Sequence, residues 1–164
     1  MDKLYKLCIF DVDGTLVETK SGATFRKTAD DWKWLPHRLI KLHSLYEQGA
    51  RVAIASNQGG VAFGYMQEKD IVAEITRMCQ EARIPLGGIN ICCNMPTAPL
   101  EQYRYDDPRR KPAPGMLREA MQTFDAKPEE TLMVGDREED MFAAKAAGCH
   151  FEWAKYFFGD DPWE

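Results

Sequence analysis

The sequence predicts an α/β fold built on a parallel sheet, and three observations lead there. Apolar runs of strand length alternate with amphipathic stretches of helix length over nearly the whole chain. Strands that alternate with helices pair in parallel and are covered on both faces. Reactive polar residues recur just beyond the apolar runs, where an open parallel sheet forms its ligand crevice.

Taken in order, residues 4–10 form the first strand, with Leu7, Cys8, Ile9 and Phe10 as a continuous apolar run. Residues 36–48 read as a helix presenting Leu39, Ile40, Leu42, Leu45 and Tyr46 on one face, stopped by Gly49. Residues 51–55 form a short strand. Residues 68–82 are helical, with Ile71, Val72, Ile75, Met78 and Cys79 at helical spacing. A strand at 89–93 follows. Pro112 and Pro114 suit the first turn of a helix over 114–124. A strand at 131–134, a helix at 138–147 ended by Gly148 and a strand at 149–154 complete the alternation.

Two segments break this rhythm. Residues 17–35 contain "TKSG", a hairpin-turn signal, and then Trp32 and Trp34, read as packing residues under a hairpin flap. Residues 94–111 form a long, Pro-rich, charged loop, of a length that is commonly functional in a compact domain. No repeat, low-complexity tract or linker divides 1–164, so the expectation is one domain.

The bulk properties narrow the function classes. A net charge of -5 argues against a dedicated nucleic-acid surface, although a local basic groove is compatible with it. The start "MDKLYK" has no apolar stretch of signal-peptide type, and no apolar run approaches a bilayer span. The five cysteines, odd in number and irregularly spaced, suit a reducing cytosol better than a disulfide framework. Cys8 and Cys149 read as core residues. The expectation is a cytoplasmic protein without a membrane partner.

The chemistry lies at the strand ends. Asp11 and Asp13 end the first strand in "KLCIFDVDGTLV", and residues two apart in an extended segment point the same way. Two carboxylates that close disturb each other unless something neutralises them. Ser56, Asn57 and Gln58 end the second strand, Lys111 follows the long loop, and Asp136 and Asp140 follow the fourth in "VGDREED". The fold would gather four carboxylates, a hydroxyl, an amide and an ammonium at one edge. Clustered carboxylates need a cation, and hard oxygen ligands suit Mg²⁺. Asp11 is then placed to attack phosphorus and form an aspartyl-phosphate. Asp13 would protonate the departing oxygen and later take a proton from water. Ser56 and Asn57 would donate to phosphoryl oxygens, and Lys111 would offset transition-state charge. Asp136 would hold the metal directly and Asp140 a metal-bound water. Arg110 has two readings: a solvated charge, or a fork that grips a second anionic group of the substrate.

"DVDGTLV", "SNQ", the lysine of "RRKPAPG" and "GDREED" resemble, in order, the four motifs of the haloacid dehalogenase superfamily, over residues 5–154. The resemblance implies a Rossmann-like three-layer sandwich. It makes Asp11 the nucleophile and Asp13 the general acid/base. It also places Mg²⁺ on Asp11, on the backbone carbonyl of Asp13 and on Asp136. The short spans 17–36 and 93–111 leave no room for a large cap domain. That is similar to the capless subfamily IIIA branch, which holds histidinol-phosphate phosphatases, heptose bisphosphate phosphatases and polynucleotide 3'-phosphatases. "SNQGGVAFG", "RRKPAPGML" and "MVGDREEDMFAAKAAG" look most like the sugar and histidinol enzymes. "TKSGATFRKTADDWKWL" is more similar to the polynucleotide phosphatases.

The sugar and histidinol enzymes commonly carry zinc in the loop before the lysine, as C-x-H...C-x-C. The aligned positions here are Cys92, Asn94, Asp107 and Arg109, and one thiolate of four does not make a tetrahedral zinc site. No structural zinc is expected. The reading that results is a Mg²⁺-dependent phosphomonoesterase acting on a small phosphorylated metabolite: a sugar phosphate or bisphosphate, or a histidinol phosphate-like ester. The alternative substrate is a DNA or RNA 3'-phosphate end. A non-catalytic binding domain on the same fold is the other class, and intact Asp11 and Asp13 argue against it.

Overall fold

The computed structural model describes residues 4–160. Asp161, Pro162, Trp163 and Glu164, part of the aromatic tail "YFFGDDPWE", lie outside the described residues. Five parallel strands form the sheet: β1 (Leu7–Phe10), β4 (Arg51–Asn57), β5 (Ile89–Cys92), β6 (Thr131–Gly135) and β7 (His150–Trp153), in the order β5-β4-β1-β6-β7. Helices α1 (Arg38–Glu47), α3 (Glu68–Glu81), α4 (Gly115–Thr123) and α5 (Glu138–Ala147) cross between them. The strand order reverses direction at β1, which lies between β4 and β6. A parallel sheet opens its crevice at such a switch point.

The two sheet faces explain why the strands read as continuous apolar runs. Cys8 and Phe10 of β1 pack with Val52, Ile54, Leu132 and Val134 against Leu42 of α1 and Ile71, Ile75 and Met78 of α3. Leu7 and Ile9 point the other way, with Ala53, Ala55 and Met133, onto Met116 and Leu117 of α4 and Ala143 and Ala144 of α5. Successive residues of a strand face opposite layers, and here both layers are core. Each buried Leu, Ile, Phe or Met contributes roughly 1.5–3 kcal/mol relative to exposure. Gly148 ends α5 at φ 77, a left-handed conformation that suits glycine.

Several local readings change. Ile40 is 71 % and Tyr46 49 % exposed; α1 buries Leu42, Leu45 and the aliphatic length of Arg38 instead. Val72 of α3 also faces out. β4 runs on through Ser56 and Asn57, two residues beyond the expected 51–55. Cys149 is only half-buried and precedes β7. Two short helices had no sequence signal, α2 (Gly59–Ala62) and α6 (Ala154–Phe157). In the tail, Phe157 and Phe158 close on Phe10 at ring-centroid distances of 5.6 and 5.9 Å.

The flap is a wide hairpin. β2 (Val17–Glu18) pairs antiparallel with β3 (Lys33–Trp34), and residues 19–32 form the connection. "TKSG" therefore opens a long loop and does not make a tight turn. Asp31 organises that loop by accepting from Ser21 N–H at 2.9 Å, Ser21 Oγ at 2.7 Å and Lys27 N–H at 3.1 Å. Those bonds, Ser21's hydroxyl first, hold the Asp31 carboxyl down at about 2. Trp32 and Trp34 donate their indole N–H to Glu74 and Glu81 of α3 at 2.8 and 2.7 Å. They fasten the flap to the body.

Candidate active site

Asp11 leaves β1 at the switch point, tied to β6 by its N–H to the Val134 carbonyl at 3.0 Å. Thr15, fully buried on the loop that follows, donates toward Asp11 Oδ2 and Asp136 Oδ1, both at 3.3 Å. Gly14 between them has φ +86, and a Cβ there would overlap the Asp136 carboxylate. The glycine is needed for close approach as well as for its backbone conformation.

Lys111 comes from the far end of the long loop. Its Nζ donates to Asp11 Oδ1 at 2.8 Å and to Asp140 Oδ1 at 2.6 Å, with the side chain 3 % exposed. Burial alone would lower this ammonium's pKa, but Asp11 and Asp140 outweigh it and the net shift is upward. Asp140 uses its second oxygen to accept from the N–H groups of Asp136 and Arg137, at 3.2 and 3.1 Å, at the start of α5. Burial, then the Asp11 charge, raises its pKa against the pull of Lys111. Carboxylate oxygens of Asp11, Asp136 and Asp140 lie within 4.8 Å of one another. Lost hydration of its crowded carboxylate, ahead of Asp11 and Asp140, pushes Asp136 up to about 7. Three carboxylates against one ammonium leave the cluster short of positive charge, which a divalent cation matches. The oxygen-only donor set fits Mg²⁺. Asp140 has both oxygens held by Lys111 and backbone N–H groups, whereas Asp11 Oδ2 and Asp136 Oδ1 meet only the long Thr15 contacts and stay the more available.

Asp13 points away from this cluster. Its Oδ1 accepts from Arg26 Nε at 2.8 Å and its Oδ2 from Gln58 Nε2 at 2.8 Å. Gln58 also donates to Ser56 Oγ at 2.7 Å. The Ser56 hydroxyl thereby keeps its own proton free to donate. Asn57 has a different position from the one its motif suggests. Its side-chain amide clasps the backbone of Lys111, donating to the carbonyl at 2.9 Å and accepting from the N–H at 3.0 Å. It sets where Lys111 starts. Arg110, half-buried, lies beside Gly59 and makes one long contact to the Asn94 carbonyl, 3.4 Å.

The four positions aligned with a zinc site converge without thiolate pairs. Asp107 Oδ2 accepts from Asn94 Nδ2 at 3.0 Å and Cys92 Sγ at 3.5 Å, and its Oδ1 accepts from Arg109 N–H at 2.9 Å. Arg109 bridges onward to the Ile91 carbonyl and Glu119 of α4. Burial opposes the Asp107 charge, but these donors win and its pKa is lowered. Arg104 bonds the carbonyls of Ala98 and Pro99 and no acid. Desolvation pushes the Cys8 and Cys93 thiols up to about 12, which rules them out as nucleophiles near neutral pH.

The structure thus brings Asp11, Asp136, Asp140 and Lys111 together, while Asp13, Gln58 and Ser56 form a second hydrogen-bonded set of their own. Thr15 and Arg26 were not picked out by sequence, and Gln58 was placed at the strand end without a role. Thr15 and Gln58 sit inside recognisable motifs. Arg26 lies in the irregular flap, and no spacing rule links it to Asp13. A cleft of about 770 Å³ opens beside the flap, lined by Thr28, Ala29, Val61, Tyr65, Leu100 and Tyr103 among others.

Comparison with known proteins places this geometry. The family model described as polynucleotide kinase 3 phosphatase matches residues 6–158. A D-glycero-beta-D-manno-heptose-1,7-bisphosphate 7-phosphatase of Pasteurella multocida is 31% identical over 87% of this chain and 77% of its own. The bifunctional polynucleotide phosphatase/kinase of Schizosaccharomyces pombe is 45% identical over 62 residues, 37% of this chain and 15% of its own. Among solved structures, D,D-heptose 1,7-bisphosphate phosphatase from B. bronchiseptica, complexed with magnesium and phosphate, aligns with a TM-score of 0.71 at 29% identity. That alignment covers 89% of this chain and 78% of the other. The chain belongs to the polynucleotide kinase 3 phosphatase family, within the haloacid dehalogenase-type phosphoric monoester hydrolases.

Proposed function

We propose that this chain hydrolyses phosphate monoesters with Mg²⁺, through an aspartyl-phosphate on Asp11. The observation that carries this is Lys111 Nζ, buried and 2.8 Å from Asp11 Oδ1. An ammonium there aims one Asp11 oxygen and offsets charge as the phosphoryl group arrives. Asp11 and Asp136, with the Asp13 carbonyl, would hold Mg²⁺, which supplies the positive charge that lets a phosphate dianion approach carboxylates. Asp11 attacks phosphorus and the ester oxygen departs with a proton from Asp13. Asp13 then removes a proton from the water that cleaves the aspartyl-phosphate. Ser56 donates to a phosphoryl oxygen, and Arg110 grips a further anionic oxygen. Asn57 and Asp140 place Lys111.

The substrate reading is a small phosphorylated metabolite with a sugar or polyol leaving group, supported by the acidic net charge of -5 and the relatives acting on heptose bisphosphate. A 3'-phosphorylated polynucleotide end is the second reading, favoured by the family model and the 62-residue stretch of 45% identity. The test is a panel of sugar phosphates, histidinol phosphate and 3'-phosphorylated oligonucleotides with Mg²⁺, at two salt concentrations. Asp11→Asn should abolish turnover of every substrate and Asp13→Asn nearly so. A strong oligonucleotide preference that falls steeply with salt selects the second substrate. Substantial turnover by Asp11→Asn removes the mechanism.

A further inference from the structure

Arg26 is the flap residue that reaches the catalytic edge. Its side chain is 4 % exposed. Nε donates to Asp13 Oδ1 at 2.8 Å and Nη1 to the Ala29 carbonyl at 2.8 Å. Nη2 is buried with no partner, and it is the single such side-chain atom among the described residues. Buried polar atoms are almost always bonded, so an orphan on an arginine at an active-site edge asks for a partner. The stereochemistry says where that partner sits. A guanidinium is a rigid planar fork, and the Nε–H and one Nη2–H leave from the same edge. The free donor therefore faces the side on which Asp13 lies, not the side that grips Ala29. Ala29, which Arg26 grips, lines the cleft of about 770 Å³ beside the flap.

We propose that Arg26 is a substrate-binding residue whose Nη2 donates to an oxygen of the leaving group. This oxygen sits on a carbon next to the one that carries the phosphate. This rests on the reading of Asp13 as the acid that protonates the ester oxygen. The ester oxygen must lie against Asp13, so the donor beside Asp13 meets the atoms attached to the neighbouring carbon. The class of substrate is an ester of a polyol or sugar carbon with a vicinal hydroxyl, ring or ester oxygen. Metabolite sugars and the 3' end of a nucleotide share that chemistry. A simple alkyl phosphate lacks it and forgoes the bond to Nη2, so it binds less tightly by that bond.

The test compares kcat/KM for glycerol 2-phosphate and isopropyl phosphate, two secondary alkyl esters that differ in their flanking hydroxyls. Wild type should prefer glycerol 2-phosphate about tenfold or more, the size expected of one bond to a charged donor. Arg26→Met should shrink that ratio to about threefold or less, and Arg26→Lys should restore part of it. If neither ester turns over measurably, their competitive inhibition constants against the best panel substrate give the same ratio. If Arg26→Met fails to fold, Arg26→Gln and Arg26→Lys carry the comparison. A wild-type ratio near one, or a ratio that the variants leave unchanged, overturns the proposal. Loss of the aspartyl-phosphate reading would appear separately, as activity retained by Asp11→Asn.

Discussion

Replacing Lys111 by methionine removes the ammonium held between Asp11 and Asp140 while keeping a side chain of similar length. The lysine is 2.8 Å from one carboxylate and 2.6 Å from the other, with 3 % of its side chain exposed. Removing one partner of a buried ion pair typically costs about 3–5 kcal/mol, because the remaining charge has no compensation. Against a typical domain stability of about 5–15 kcal/mol, that is a large loss. The loss depends on pH in a defined direction. Asp140 is already raised against the pull of Lys111, so without the lysine it holds its proton more tightly still in the fold than in the unfolded chain. That contribution is present at low pH and is lost as pH rises through the raised Asp140 value. Urea unfolding of Lys111→Met should show the full deficit at pH 8 and a smaller one at pH 5, toward which Asp140 takes up its proton. Saturating Mg²⁺ should recover more stability in the variant than in wild type, since it also supplies positive charge. Turnover should fall about 10²–10³-fold. Equal stability of variant and wild type at pH 8, or the same deficit at both pH values, would refute the argument.

Three further outcomes are expected. Asp136, raised to about 7, favours its protonated form in the metal-free fold. That contribution to stability is complete below the ordinary carboxylate range and is lost as pH rises through about 7. The Asp136 residue still has a face open to solvent, and screening there reduces the size of this contribution. Mg²⁺ must displace this proton, so titration calorimetry should find tighter binding at pH 7.5 than at pH 5.5, and a flat profile would contradict it. Asp107→Ala should lower stability by about 2–3 kcal/mol by orphaning Asn94, Cys92 and the Arg109 N–H, and a thermal shift near zero would count against the network. Protein purified without added zinc should contain none in stoichiometric amount; one zinc per chain would show that Cys92 and its neighbours were read wrongly.

Much of the site was legible because sheet topology converts sequence position into spatial position. Asp11, Ser56, Lys111 and Asp136 all follow or end strands, and a parallel sheet delivers strand ends to one edge. What that rule leaves open is the direction of each side chain. Asn57 and Asp140 were read as facing substrate and metal water, yet both turn toward Lys111. Periodicity likewise found α1 but chose too broad a face, because Arg38 competes for the buried side: it donates to the Thr15 carbonyl and pairs with Asp160. Arg26, and the partners that Asp107 finds, were not legible for a common reason. Each gains its role from partners across irregular backbone, where no helical or strand period predicts contact. The aligned zinc positions did mark Asp107 as unusual, but only the fold shows what replaces the metal ligands.

The aspartyl-phosphate itself is the most direct test. Enzyme turning over its best panel substrate with Mg²⁺ would be quenched in acid, treated with borohydride, and digested for mass mapping. Borohydride reduces an acyl phosphate to an alcohol, so an aspartyl-phosphate becomes homoserine. The account predicts homoserine at position 11, dependent on substrate and Mg²⁺ and absent from Asp11→Asn. Rapid turnover with no modified residue, or with modification at a residue other than Asp11, would contradict it.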